Sequence, residues 1–343
     1  MECRIMPKNA LWMLLVVTLC VGPGPAGVRA VDDMMEMEDL CAGDMQWMIG
    51  WCIDMMTAGD PGETGALAAL NSSSRYVGVF ETIHKPGSSA TRAFGINPQG
   101  DIVGSFTDGT GTHGYVLREG VFTTIDYPGA LTTEAWGINA GGDIIGRYTR
   151  AGVPGVRGFL WSAGVFSDIS MGNHMITLPT KIGASGEIVG CFHDASALID
   201  MYSYVQRESD VTVFGRPSIT FPDGSATMHN GITPGGGTVV GLYFPRQGEA
   251  RGYAITDGTF TFLDYPGATF TQAWDVNPRG TIVGDYLAGG KTRGFYYDGT
   301  DFVSIDVPAS LLTIARGINP QGHIVGVYND AAGAHGFVLR RDP

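Results

Sequence analysis

Six glycine-rich segments of the chain carry different polar residues at matching positions, and these side chains are the ones that could do chemistry. Glu134 and Asp275 supply carboxylates, His229 supplies an imidazole, and Arg92 and Lys181 supply cations. Carboxylate oxygens are the ligands that Ca²⁺ prefers, and a bound cation beside a histidine can activate water. If these residues converge, they predict a hydrolase of lactone, ester or phosphate substrates. His229, Glu134 and Asp275 would then be catalytic, with Glu134 and Asp275 also holding the Ca²⁺.

A binding site is the other chemistry that these positions suit. Tyr127 and Tyr265 occupy equivalent loop positions, where an exposed ring can stack on a sugar or an aromatic partner. The remaining candidates offer hydrogen bonds or charge to a ligand: Arg92, Lys181, Asn230, Gln272 and Arg316. We therefore expect a binding or interaction module for a small molecule, glycan or protein, with the calcium-dependent hydrolase as the alternative.

The sequence alone does not decide between the hydrolase and the binding module. Repeat copies diverge, and many polar residues at loop ends are simply solvated. The alternative is a hydrolase of lactonase, esterase or phosphatase type. No short catalytic motif supports it, because the chain contains no G-x-S-x-G, H-E-x-x-H or C-x-x-C segment. Whether the protein is an enzyme therefore stays open at this point.

One ten-residue segment recurs along the chain and organises these positions. GINPQGDIVG, residues 95–104, returns as GINPQGHIVG, residues 317–326. Six copies are recognisable, and they close on Gly104, Gly146, Gly190, Gly241, Gly284 and Gly326. These glycines are 42, 44, 51, 43 and 42 residues apart. A period in the low forties, with short strands and glycine turns, is typical of propeller blades.

Each repeat unit predicts a four-stranded antiparallel meander. In residues 133–169, for example, four strand-like segments alternate with Gly-rich turns. Proline and glycine in the N-P-x-G copies favour a tight turn between the first and second strands. In a propeller the first strand of each blade lines the central channel. Loops from fourth to first strands form one face, and we expect the ligand there.

The two ends of the repeat region complement each other. The last unit stops after its third strand, whereas residues 78–87, GVFETIHKPG, match the fourth-strand segment GVFTTIDYPG of residues 120–129. We expect Val79 to Ile83 to lie alongside Phe337 to Leu339, because this pairing leaves no open edge in the ring. The sequence thus predicts an all-β, six-bladed β-propeller of four-stranded blades over residues 76–343.

The repeat units resemble the HAF-type extracellular repeat of secreted bacterial proteins, in which an Asn-x-x-Gly turn, an IVG strand and a His-x-Phe strand recur. The resemblance covers roughly residues 76–343. The third motif departs from the pattern, because glycine replaces alanine in HGY and HGF and arginine replaces histidine in three units. The resemblance implies secretion and a repeat architecture, and it carries no catalytic residue over to this chain.

The N-terminal region predicts export and a small appendage. Residues 1–30 combine a basic start, an apolar run and a small-residue ending, which indicates a signal peptide cleaved after Ala30. Residues 31–75 form a Met-rich segment and linker, for which we favour a short amphipathic helix or helical hairpin over a Cu(I) site. Cys41 and Cys52 can form a disulfide only if the chain turns between them.

The net charge and the hydropathy of the chain limit the classes of partner that it can bind. A net charge of -13 argues against nucleic acid and against an anionic membrane surface, because both attract basic proteins. No segment after the signal peptide is long and apolar enough for a membrane span. We expect a monomer that is secreted to the periplasm or the extracellular space.

Overall fold

The computed structural model describes residues 78–194, 201–214, 226–245 and 249–341. The predicted signal peptide and the Met-rich segment, with Cys41 and Cys52, lie outside these residues. All secondary-structure elements within the described ranges are β-strands, so the all-β prediction is confirmed there. In the same ranges no helix has the length and apolar character needed to cross a membrane.

The described strands follow the repeat, with four strands per unit. In chain order they are β1 Gly78–Ile83, β2 Ala90–Ile96, β3 Ile102–Asp108, β4 Gly111–Arg118, β5 Val121–Ile125, β6 Thr132–Ile138, β7 Ile144–Arg150, β8 Val153–Ser162, β9 Val165–Ile169, β10 Ile176–Ile182, β11 Ile188–His193, β12 Tyr202–Arg207, β13 Asp210–Phe214, β14 Ala226–Ile232, β15 Thr238–Phe244, β16 Arg251–Thr256, β17 Thr259–Leu263, β18 Phe270–Val276, β19 Ile282–Ala288, β20 Lys291–Tyr297, β21 Phe302–Ile305, β22 Leu312–Ile318, β23 Ile324–Asp330 and β24 Gly333–Arg341.

These strands form antiparallel meanders in a β-propeller arrangement. Three four-stranded sheets have the orders β10-β11-β12-β13, β14-β15-β16-β17 and β18-β19-β20-β21, and a fourth has the order β1-β24-β23-β22. The first strands of the repeat units, β2, β6, β10, β14, β18 and β22, contact one another in a closed circle. The innermost strand of each unit therefore faces a common hub.

The remaining eight strands, β2 to β9, belong to one sheet. The prediction of six separate four-stranded blades is wrong in this respect, because the described residues form only four separate four-stranded sheets. Two antiparallel meanders, β2–β5 and β6–β9, are joined where Thr132 at the start of β6 pairs in parallel with Thr112 of β4. That one pair brings the main chains of consecutive repeat units close enough to make the sheet continuous.

Ring closure occurs as the sequence predicts. β1 pairs antiparallel with β24, with Phe80 opposite Leu339, Thr82 opposite Phe337 and Ile83 opposite Gly336. The side chains reinforce the pairing, because the rings of Phe80 and Phe337 lie 5.6 Å apart in an edge-on arrangement. The N-terminal strand therefore completes the sheet that the C-terminal strands begin.

A β-bulge in every first strand explains the glycine of the I-V-G motif. The register between first and second strands shifts at the same repeat position in all six units, for example between Ala93 and Gly95. The bulge places the Arg92 carbonyl where a Cβ on Gly104 would overlap it. The hydroxyl of Tyr115, which comes from the third strand and donates to the Arg92 carbonyl at 3.0 Å, crowds the same position. Only glycine can occupy this position.

Candidate binding site at the hub

A small cavity opens at one end of the hub, where the first strands end. Its wall is an aliphatic ring from the last residue of each first strand: Ile96, Ile138, Ile182, Ile232, Val276 and Ile318. The turns that follow these strands form the rim, with Pro98, Pro234, Pro278 and Pro320 at equivalent positions. The cavity volume is about 80 Å³. The sequence led us to expect the ligand at the face formed by the fourth-to-first loops. The cavity lies at the opposite end of the hub.

Lys181 is the one charged residue among the described residues that line this cavity. Its Nζ lies 2.6 Å from Oδ2 of Asp275, which comes from a first strand 94 residues later. The Asp275 carboxylate is 1% exposed and also accepts backbone N–H bonds from Ile318 at 3.0 Å and Val276 at 2.9 Å. Because its oxygens already hold three donors, this carboxylate is a structural anchor that fixes the lysine ammonium at the cavity.

An aromatic layer fills the hub next to this cavity. Phe94 stacks on Trp136 at 4.4 Å between ring centroids, and Trp136 lies 6.2 Å from Trp274 of a unit three repeats further along. The guanidinium of Arg316 sits 3.7 Å above the Trp274 ring, and that of Arg147 sits 3.7 Å above Trp136. These cation–π stacks make the centre of the ring a packed core at this level.

Two carboxylates are tied to the indoles of this layer. Trp274 Nε1 donates to Asp285 Oδ1 at 2.6 Å, and Trp136 Nε1 donates to Glu134 Oε2 at 3.0 Å. Burial raises the pKa of Asp285 to about 6, although the nearby Arg316 charge and the indole hydrogen bond lower it. Glu134, a predicted catalytic residue and metal ligand, therefore orients an indole in this structure.

His229, the predicted catalytic histidine, is fully buried. Its Nδ1 bonds to the hydroxyl of Tyr253, which in turn donates to the Met228 carbonyl at 2.9 Å. Its Nε2 has no hydrogen-bond partner among the described residues. Burial lowers the pKa of the imidazole to about 3, so the side chain is neutral. His229 points into the interior of its own unit, and neither Glu134 nor Asp275 is among its hydrogen-bond partners in the described ranges.

The other predicted ligand-binding residues are dispersed. Asn230 donates to the Ala273 carbonyl of the next unit at 2.9 Å, and Gln272 is 6% exposed. Arg92 is half-buried in β2. The structure thus brings Lys181 and Asp275 together, and it places Arg316 beside Trp274, but it does not gather the whole predicted set at one mouth.

Tyr127 and Tyr265 form a second pair of equivalent sites near the outer strands. Each ring lies in the loop between two units and stacks face to face on a tyrosine in the second strand of the following unit, Tyr127 on Tyr148 at 3.8 Å and Tyr265 on Tyr286 at 3.5 Å. The Tyr127 hydroxyl donates to Asp168 at 2.6 Å. Both rings are half-buried, so at most the opposite ring face is open to a ligand.

The described part of the chain contains no group of three or more His, Cys, Asp or Glu side chains able to hold a metal ion. A Ca²⁺ ion takes six to eight oxygen ligands. Glu134 and Asp275, the predicted ligands, are engaged by an indole and a lysine respectively. The calcium-dependent hydrolase therefore finds no ligand set in this region.

The sequence interpretation missed Arg147 and Asp285, because it compared only the first strands. Both residues follow the I-V-G glycine on the second strand, a position that varies from copy to copy: Ser105, Arg147, Cys191, Leu242, Asp285 and Val327. Arg147 and Asp285 both reach the hub, where they contact Trp136 and Trp274 respectively. The variation at that position was the available signal.

Comparison with known proteins gives fold-level similarity only. No family model matches the chain, and no curated protein matches it. Among solved structures, virginiamycin B lyase from Staphylococcus aureus is 10% identical over 77% of this chain and 100% of that chain, with a TM-score of 0.46. A putative TolB from Agrobacterium tumefaciens is 17% identical over 62% and 74%, with a TM-score of 0.47. The Aleuria aurantia lectin bound to Fucα1-6GlcNAc is 10% identical over 74% and 94%, with a TM-score of 0.46.

Proposed function

We propose that the protein is a secreted, non-catalytic binding module whose ligand places one small group in the hub cavity. The observation that carries this proposal is the cavity itself, with its aliphatic ring and the Lys181 ammonium fixed by Asp275. An ammonium has three donors. One is directed at Asp275, so the others can serve an acceptor on the ligand.

The size and chemistry of the cavity indicate the kind of group that enters. Sites for whole drug-sized ligands measure about 300–1,000 Å³. A cavity of about 80 Å³ suits one carboxylate or carbonyl with a short apolar neighbour. The chain terminus or a small side chain of a peptide fits this description, so a protein or peptide is the favoured ligand. A glycan is the alternative ligand, and the test below distinguishes it from a peptide.

The proposal includes a six-fold arrangement of the ring. The two meanders of the eight-stranded sheet serve as two further blades, because one parallel pair, Thr112 with Thr132, is their only ladder connection within the described residues. Six bulged first strands and six cavity-wall residues support this count. Membership of the HAF-type repeat proteins is part of the same proposal.

The test uses the mature chain on arrays of short peptides with free or amidated C-termini, together with a glycan array. We expect peptides with a free carboxylate and a small apolar last residue to bind, and their amides to bind at least tenfold more weakly. Ala184→Trp should abolish binding, because residue 184 lies on the cavity rim. Ala151→Trp, in the exposed turn after β7, is the matched control.

The outcomes separate the alternatives. Peptide binding that is retained in Ala184→Trp would show that the peptide does not bind in the cavity. Binding to glycans alone, lost on Tyr127→Ala or Tyr265→Ala, would move the site to the tyrosine stacks. Absence of binding to either array would count against a ligand of these classes.

A further inference from the structure

A recurring ion pair joins the third strand to the end of the fourth strand. His113 Nδ1 lies 2.9 Å from Asp126, and Arg251 Nε donates to Asp264 at 2.9 Å. In another unit Lys291 donates to Asp306 at 2.9 Å, with an arginine on the same carboxylate. The residue after the fourth strand is thus an acceptor for a basic residue across the ladder.

The closing sheet differs, because a histidine, His84, stands where three other units carry aspartate. Ile83 is paired with Gly336, so the next position across the antiparallel ladder sets His84 opposite His335. The centroids of the two imidazoles lie 5.6 Å apart. His84 is exposed, and His335 is half-buried.

The orientation of His335 follows from its counterpart in the first unit. Nε2 of His335 lies 3.2 Å from Asp330, and Nε2 of His113 lies 3.6 Å from the equivalent Asp108. In His113 the other nitrogen, Nδ1, faces the residue after the fourth strand. By the same geometry Nδ1 of His335 faces His84, and that atom is buried without a hydrogen-bond partner among the described residues.

This arrangement matches one half of a histidine metal site. A carboxylate on one ring nitrogen fixes the tautomer and leaves the lone pair on the other nitrogen for a metal ion. Two imidazoles on one Zn²⁺ ion, with Zn–N of about 2.1 Å and a tetrahedral angle, have ring centroids about 5–6 Å apart. The observed separation of 5.6 Å lies in that range.

We propose that His84 and His335 bind a late first-row divalent cation, such as Zn²⁺ or Ni²⁺, at the junction of β1 and β24. Nδ1 of His335 and one ring nitrogen of His84 are the protein ligands, water completes the coordination, and Asp330 orients His335. Imidazole ligands favour these ions over Ca²⁺. Because the two histidines come from opposite ends of the chain, the ion ties the first strand to the last and stabilises ring closure.

The test measures Zn²⁺ binding to the mature chain after its accessible thiols have been alkylated, since the cysteines would compete for the ion. Calorimetry on the wild type should show one equivalent that is missing in His84→Ala. At Zn²⁺ about tenfold above Kd, mass action predicts a rise in melting temperature of roughly 2–3 °C. Hydrogen exchange at the β1 amides should slow with Zn²⁺ only when both histidines are present.

His113→Ala is the matched control, because it removes the equivalent histidine of the first unit and should retain the Zn²⁺ equivalent. His84→Ala changes an exposed residue, so circular dichroism should show an unaltered fold, and His335→Ala serves as the second variant. Zn²⁺ binding of equal stoichiometry in the wild type and His84→Ala would overturn the proposal. So would Zn²⁺-dependent protection of β1 that persists without His84.

Discussion

At the scale of single residues, His229 is the one ionisable side chain at its repeat position, which is proline (Pro179) in one other unit. The equivalent residues in four other units are fully buried alanines: Ala93, Ala135, Ala273 and Ala315. A histidine in such a place must be held neutral, because a buried imidazolium without a counter-charge is costly. The side chain that looked like a general base is therefore locked in the interior of its unit.

The buried histidine predicts a loss of stability in acid. The pKa of His229 is lowered from 6.5 to about 3 in the folded chain, so the unfolded state binds the proton more readily. Its contribution to the free energy of unfolding is complete above pH 6.5 and is lost as the pH falls towards 3, by up to about 1.4 kcal/mol per pH unit. Urea unfolding between pH 7 and pH 4.5 should show this slope in the difference between the wild type and His229→Ala, because Asp285 shifts both curves in the opposite sense over the same range.

His229→Ala tests the assignment, because it restores the residue of most other units. It should remove the loss of stability that His229 causes below pH 6.5, while the cavity it leaves lowers stability at pH 7 by about 1–3 kcal/mol. His174→Ala, which alters a half-buried histidine beside Asp194, should leave the slope in place. An unchanged slope in His229→Ala would contradict the buried neutral imidazole.

Asp285 predicts a dependence of the opposite sign. Its pKa is raised from 3.8 to about 6 by burial, so the folded state favours the protonated carboxyl. The corresponding stability is present below pH 3.8 and is lost as the pH rises through 6, by roughly 2–3 kcal/mol in total. Asp285→Asn should therefore gain stability relative to the wild type between pH 4 and pH 7.

The comparison for Asp285→Asn is Asp210→Asn, an exposed change at the start of β13 that should have little effect. Fluorescence of Trp274, whose indole donates to Asp285, should report the titration directly. A stability difference between Asp285→Asn and wild type that is constant from pH 4 to pH 7 would refute the raised pKa.

At the scale of the strand pair, the bulge of the first strand requires the glycine of the I-V-G motif on the second strand. Gly104 lies under the displaced Arg92 carbonyl and against the hydroxyl of Tyr115, so a methyl group there has no space. Gly104→Ala should lower the free energy of unfolding by about 2–4 kcal/mol, because the bulge or the ring must move. Thermal and urea unfolding measure the change.

Gly109→Ala is the matched substitution, since a Cβ on Gly109 meets nothing within 4 Å. It should change stability by less than about 1 kcal/mol in either direction. Equal effects of the two substitutions would mean that the glycine serves chain flexibility and not the close approach of the carbonyl.

The strands themselves were predictable from local patterns, whereas the bulges were not. Alternation and the N-P-x-G turns located the strands of each unit, because turn chemistry acts over neighbouring residues. A bulge adds one residue to a strand without changing its composition. The sequence therefore showed that Gly104 recurs, but not that the chain opposite it is displaced.

At the scale of the whole ring, the same limit separates topology from the hub. The surplus fourth-strand segment predicted the pairing of β1 with β24, because strand counting needs only the repeat. The contact of Trp136 with Trp274 joins units three repeats apart, and its formation depends on how far each indole leans inward. No periodicity encodes that distance. The sequence therefore could not show that Glu134 contacts an indole of the aromatic layer while His229 lies inside its own unit.

Closure of the ring predicts that damage to β1 is felt by the whole molecule. Ile83 is 5% exposed and packs in a core cluster with Val325 and Val338 of the C-terminal strands. A carboxylate there would be buried without a partner, so Ile83→Asp should detach β1 and cost about 3–5 kcal/mol. The freed edge of β24 then offers unpaired backbone groups, and we expect concentration-dependent association in light scattering.

Val79→Asp places the same charge on the same strand at a residue that is 60% exposed, and it should change stability by less than about 1 kcal/mol. Hydrogen exchange should lose protection across β1 in Ile83→Asp and keep it in Val79→Asp. If Ile83→Asp lost protection across β1 yet stayed monomeric and as stable as Val79→Asp, the N-terminal strand would be an accessory to a ring that the other strands already hold. If only Ile83→Asp failed, the last sheet would depend on a segment made more than 250 residues earlier, so that the ring can close only after the chain is complete.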